Sequence, residues 1–169
     1  MNGDGNGWAA GPGDVRVWGR FGAAGLMLLA GQGDDVQVLM QHRAQWTNAG
    51  GTWALPGGAR DSHESPIEAA LREAVEECSI DPDLVEVVLA RVTAGPFPAD
   101  PARPELAGDW TYTTVIARTV TGGTLRTHAN EESLELRWVR LAELEELPLM
   151  PAFASSLPGL RQEVASLPD

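Results

Sequence analysis

The residue types best suited to chemistry are concentrated between Gly57 and Ile80, where the chain reads GGARDSHESPIEAALREAVEECSI. Glu73, Glu76 and Glu77 stand three and four positions apart, so on a helix their carboxylates share one flank. Like charges at that spacing repel by about 0.2–0.5 kcal/mol per pair. Glu76 and Glu77 would also sit near the negative end of the helix dipole, which costs an anion roughly 0.3–1 kcal/mol. A divalent cation reverses both signs, because hard ions such as Mg2+ and Mn2+ take carboxylate oxygens as ligands. The plain alternative for an isolated E-x-x-E-E is a solvated acidic face.

The element that must carry these groups is well marked. Ser65 is placed as an N-cap, Pro66 opens the helix, and Glu68 stands three residues after the cap. Ile67, Ala70, Leu71, Ala74, Val75 and Cys78 fall on the flank opposite the glutamates and form the expected buried face. Glu68 and Arg72 are spaced for an i,i+4 ion pair. Upstream, Phe21 to Leu29 is an apolar run of strand length, and Val36 to Arg43 follows a glycine turn to make a hairpin. Ala44 to Thr52 is a loop with Trp46 and a Gly50-Gly51 hinge. Downstream, strands are expected over Leu84 to Thr93, Trp110 to Thr119 and Leu134 to Val139. Ala94 to Gly108 is rich in proline and glycine and is expected to be irregular. A short acidic helix over Leu141 to Leu147 and a closing helix over Pro151 to Leu167, broken at Pro158, complete the order. Strands on both sides of one central helix, with another helix at the end, predict a mixed sheet with helices on both faces. Residues 1–14 hold five glycines and read as a flexible tail ahead of one domain over 15–169.

Gly58, Glu64, Arg72-Glu73, Ala74, Glu76-Glu77, Ser79 and Ile80 stand at offsets that resemble the Nudix box. That pattern runs glycine, glutamate, Arg-Glu, an aliphatic, Glu-Glu, glycine and an aliphatic. The lead-in Trp53-Ala-Leu-Pro-Gly-Gly is also similar to Nudix proteins. Two positions depart from the pattern: Ser79 replaces the usual glycine, and Ala74 is small for an aliphatic position. The resemblance implies a Nudix-type α/β/α sandwich with a mixed β-sheet between helices, covering roughly residues 18–169. It implies a pyrophosphohydrolase that cleaves the diphosphate linkage of a nucleoside diphosphate joined to another moiety, with Mg2+ or Mn2+ as cofactor. Under it Glu73 and Glu77 are metal ligands, joined by Glu76 and by the carbonyl of Gly58. Arg72 then orients Glu73, and Glu64 holds the loop to the helix. Some relatives place a general base shortly before the tryptophan of the strand that leads into the C-terminal helices. Here Glu131 and Glu132 precede Trp138, and Glu132 is the choice; a solvated acidic turn is the alternative.

Composition narrows the partners. Twelve basic residues face twenty-four acidic ones, a formal net charge of −12. A nucleic-acid surface would need a basic stripe, so none is expected. All twelve basic residues are arginine, which excludes Schiff-base chemistry and a P-loop lysine. Cys78 is the single cysteine, so no internal disulfide can form, and its place on the apolar flank makes it a buried thiol. No signal peptide or membrane-length apolar run is present, and a cytoplasmic monomer or homodimer is expected. His42, His63 and His128 lack ligand spacing, and no G-x-S-x-G occurs.

The resemblance implies a small nucleotide as substrate. Base recognition calls for aromatic stacking, and Trp46, Phe97, Trp110 and Tyr112 are the candidates. Pro96 lies where ADP-ribose-cleaving relatives often carry a proline, and Pro96-Phe97-Pro98 is faintly similar to a motif of NADH-cleaving relatives. Three functions follow: hydrolysis of a nucleoside triphosphate, oxidised ones included; hydrolysis of ADP-ribose or a nucleotide sugar; or nucleotide binding without catalysis. Retention of all three glutamates argues against the last.

Overall fold

In a computed structural model, which describes residues 3–47 and 49–168, the apolar runs become one sheet with two differently covered faces. Strand β1 (Trp8–Ala10) pairs with β2 (Arg16–Trp18) in an antiparallel ribbon and bridges to Ala107 on its other edge. The main sheet contains β3 (Ala23–Ala30), β4 (Gln37–Arg43), β5 (Trp53–Ala54), β6 (Gly57–Ala59), β7 (Val85–Phe97), β8 (Trp110–Thr119) and β9 (Ser133–Arg140). Its order is β5-β4-β3-β8-β7, with β6 on β3 and β9 on β4. The β3–β8 pair is parallel and the others are antiparallel, so the sheet is mixed.

Helix α1 (Pro66–Cys78) covers one face and α2 (Pro151–Ala165) the other. Every residue of β3 is buried, because its side chains alternate between the two layers. Ala24, Leu26 and Leu28 meet α1, whereas Met27 and Leu29 meet the layer of Phe153, Leu157 and Leu160. This is the α/β/α sandwich expected from the sequence.

Several expectations need correction. Helix α1 packs through Ala69, Ala70, Ala74 and Cys78, small side chains that let it approach the sheet closely. Ile67 and Val75, assigned to the apolar face, are 36 % and 38 % exposed. Glu68 does not pair with Arg72; it closes a capping box with Ser65, and Arg72 turns to Glu64 instead. Strand β7 runs through Pro96 to Phe97, with register shifts at Val92/Ala94 and Ala94/Phe97 that absorb the proline. Pro158 does not break α2: it lies on the exposed side, where water can satisfy the carbonyl that loses its donor.

The start of the chain also differs from a flexible tail. Met1 and Asn2 lie outside the described residues. From residue 3 onward the chain is held as a strap across the glycine loop. Asp61 accepts the Gly5 N–H at 2.8 Å, and Asp4 accepts from both the backbone and the hydroxyl of Ser62. Ala9 and Ala10 are fully buried. Arg103 fastens the ribbon's turn by donating to the carbonyls of Gly13, Asp14 and Val15.

Candidate active site

The glycine loop and α1 build the site together. Gly58 lies directly beneath the Glu73 carboxyl: a Cβ there would come within 2.7 Å of it. Any side chain at 58 would therefore displace Glu73. Arg72 fixes the group from the other side. Its guanidinium donates to both oxygens of Glu64 at 2.7 and 2.9 Å, to Glu73 at 3.0 Å, and to the Ala59 carbonyl at 3.0 Å. Glu76 joins this fork at 3.3 Å while its side chain stays largely exposed. The hydrogen bonds from Arg72 hold the Glu64 carboxyl below the usual range, and the same contacts raise Arg72 further.

Glu77 does not lie on a solvated acidic face, the plain alternative for this pattern. It is only 2 % exposed, turned inward against the sheet. The Gly57 N–H donates to one oxygen at 3.1 Å, and the Gln41 amide donates to the other. Burial first, then the charge of Glu73, pushes the Glu77 carboxyl far upward. Glu73 is raised too, chiefly by burial, while its contacts with Glu77 and Arg72 pull it back down. Two desolvated carboxyls pressed together are costly as anions and suited to a shared hard cation.

The remaining expected residues divide. Glu132 begins the approach to β9 and faces Glu77 closely enough for its charge to raise that carboxyl further. Tyr112 turns its hydroxyl towards the site, under the influence of Glu77, Arg43 and Glu73, and burial raises its pKa. That hydroxyl lies over Gly25, where a side chain would collide with it. Trp110, in contrast, is core: it is buried, stacked on Phe97 at 5.7 Å, and donates its indole N–H to Trp18. Phe97 and Trp110 thus spend their faces on each other under the N-terminal ribbon and are withdrawn as stacking candidates. Trp46 is 68 % exposed at the rim and donates to the carbonyl of Glu131 at 3.2 Å.

Some residues of the site were missed in the sequence. Gln41 is 1 % exposed and donates to both Glu77 and Ser133, while its Oε1 has no partner. Its signal was a polar residue on the α1-facing side of an apolar strand. Asp61, His63 and Glu64 also bring possible ligand atoms within 4.8 Å of one another. The Asp61 and Glu64 oxygens are already engaged by Gly5 and Arg72. Cys78 is buried and its thiol is pushed up to about 12, as an inert core thiol would be.

A mixed sheet between helices, with a glycine loop set against a glutamate-bearing helix, is the arrangement of a Nudix hydrolase. The NUDIX domain model matches residues 19–159, and the chain belongs to the Nudix hydrolase family. It is 47 % identical over 169 residues to "Putative 8-oxo-dGTP diphosphatase 3" of Mycobacterium tuberculosis, covering 99 % of this chain and 74 % of that protein. A crystal structure of RenU, a Nudix hydrolase from M. smegmatis, superposes with a TM-score of 0.85 at 46 % identity, covering 98 % of both chains. A Bifidobacterium longum nucleoside triphosphate pyrophosphatase/Nudix hydrolase fusion protein is 39 % identical over 158 residues, or 91 % of this chain and 30 % of its own length. Among the described residues, no helix is long and apolar enough to cross a membrane.

Proposed function

We propose that the protein hydrolyses a nucleoside triphosphate, with 8-oxo-dGTP as the leading candidate, to the monophosphate and pyrophosphate. The observation that carries the chemistry is the pair of desolvated carboxyls, Glu73 and Glu77, forced together beside the Gly57–Gly58 loop. Such a pair fits a divalent cation, and the partnerless Oε1 of Gln41 adds a hard oxygen nearby. Glu73, Glu77, Glu76 and the Gly58 carbonyl would hold Mg2+, or Mn2+ in its place. When bound, the ion neutralises phosphoryl charge and acidifies water. Arg72 keeps Glu73 oriented through Glu64 and the Ala59 carbonyl. Glu132 takes the proton of the attacking water at its carboxylate. Trp46 offers an open aromatic face to the base at the rim.

The substrate assignment is supported by the name of the Mycobacterium tuberculosis relative, at 47 % identity. Its test is kcat/KM for 8-oxo-dGTP and the ordinary dNTPs beside ADP-ribose, with Mg2+ present. An ADP-ribose preference of about tenfold, or about 1.4 kcal/mol of transition-state stabilisation, would overturn the assignment.

A further inference from the structure

Helix α1 begins with its own cap and ends with borrowed ones. At its start Ser65 and Glu68 satisfy each other's backbone donors. At its end the last carbonyls have no intrahelical donors, and they are met by residues 128–130. The His128 N–H donates to the Cys78 carbonyl at 2.8 Å, and the Asn130 N–H donates to that of Glu77 at 3.3 Å. The Asn130 side chain reaches the third, donating from Nδ2 to the Glu76 carbonyl at 3.3 Å.

The same side chain works in the other direction. Asn130 Oδ1 accepts the backbone N–H of Glu132 at 3.0 Å. The carbonyl of Glu132 is fixed in turn by the Ala44 N–H at 2.9 Å. One residue further on, the Ser133 hydroxyl accepts from Gln41, whose amide also holds Glu77. Glu132 therefore lies between two bridges, each leading back to the turn of α1 that carries Glu76 and Glu77.

We propose that Asn130 is a positioning residue that fixes Glu132 relative to the α1 glutamates, donating to the Glu76 carbonyl with one amide atom and accepting the Glu132 N–H with the other. The proposal rests on the reading of Glu132 as the general base. Its placement has to be accurate, because a displacement of about 1 Å at a reacting group can cost about 100-fold in rate. The adjacent Gln41–Ser133 bridge keeps Glu77 and the strand start together when Asn130 is removed, so Mn2+ binding by the nucleotide-free protein stays intact.

The test is a double-mutant cycle between Asn130→Ala and Glu132→Gln. Turnover is measured with Mg2+, and Mn2+ affinity is measured separately without nucleotide. Asn130→Ala is expected to lower kcat by about 10- to 100-fold, with KM and Mn2+ affinity within about threefold of wild type. The same change should have little further effect in Glu132→Gln. Asn130→Ser retains an oxygen that can accept the N–H two residues on but loses the donor to the Glu76 carbonyl, so it should restore only part of kcat. A Glu132→Gln enzyme slowed again by the full factor overturns the positioning role alone. Glu132→Gln turning over at the wild-type rate overturns the base assignment beneath it. If Asn130→Ala does not fold, the serine variant decides: wild-type kcat with unchanged thermal stability overturns the proposal.

Discussion

Ser79 ends α1 with φ 57° and ψ 31°, the left-handed conformation that favours glycine. For a residue with a Cβ this costs roughly 1–2 kcal/mol. Ser79 is exposed, and its backbone N–H closes the helix onto the Val75 carbonyl at 3.0 Å, a bond that glycine would keep. Against the relief of strain stands the greater freedom of glycine in the unfolded chain, about 0.4–1 kcal/mol. The difference leaves Ser79→Gly more stable by about 0.5–1 kcal/mol. At roughly 2–4 °C per kcal/mol for a chain of this size, Tm should rise by about 1–4 °C. Thermal unfolding followed by circular dichroism reads this directly, with Ser79→Ala as the control. Alanine removes the hydroxyl but keeps the Cβ, so it should gain nothing. An equal gain in both variants, or a fall in Tm for glycine, would refute the argument from backbone strain.

Three further outcomes follow from the site. Burial raises the Glu77 carboxyl to about 9 from an ordinary 4.5, so the folded state keeps a proton that the unfolded chain releases; metal-free stability should fall as pH rises from about 4.5 towards 9, and the Tm gain on adding Mg2+ should grow over the same range. Glu77→Gln should abolish most of that gain together with activity, and wild-type turnover by this variant would refute the ligand assignment. Trp46→Ala should raise KM with a stability change within about 0.5 kcal/mol, whereas Trp110→Ala should cost about 3–5 kcal/mol through the cavity it leaves; calorimetry and steady-state kinetics separate the two.

What could be read from the sequence was whatever is settled locally. Ser65, Pro66 and Glu68 mark the start of α1 because a cap needs only its own first turn. The unbroken apolar run of β3 announced a strand covered on both faces. Periodicity, however, cannot say how near a helix lies to its sheet. The close approach selected Ala69, Ala70, Ala74 and Cys78 for burial, left Ile67 and Val75 outside, and drew Glu77 in. Nor does composition reveal the strap: the glycine at position 5 serves close contact with the Arg60 backbone, where a Cβ would approach within 2.2 Å. Gln41 and Asn130 act across 36 and 54 residues of chain, and no local pattern encodes such bridges.

The borrowed cap of α1 also bears on the order in which the molecule assembles. The first turns of the helix can nucleate from neighbouring residues, but its last turn waits for a segment 54 positions later in the chain. Closing a loop of that length costs on the order of 3–4 kcal/mol in chain entropy beyond a fixed term. In the folded protein the pairing of β7 with β8 and of β9 with β4 offsets that cost. Under the proposed role of Glu132 the site is complete only once β9 has docked, and among the described residues β9 is bonded to the sheet through β4 alone.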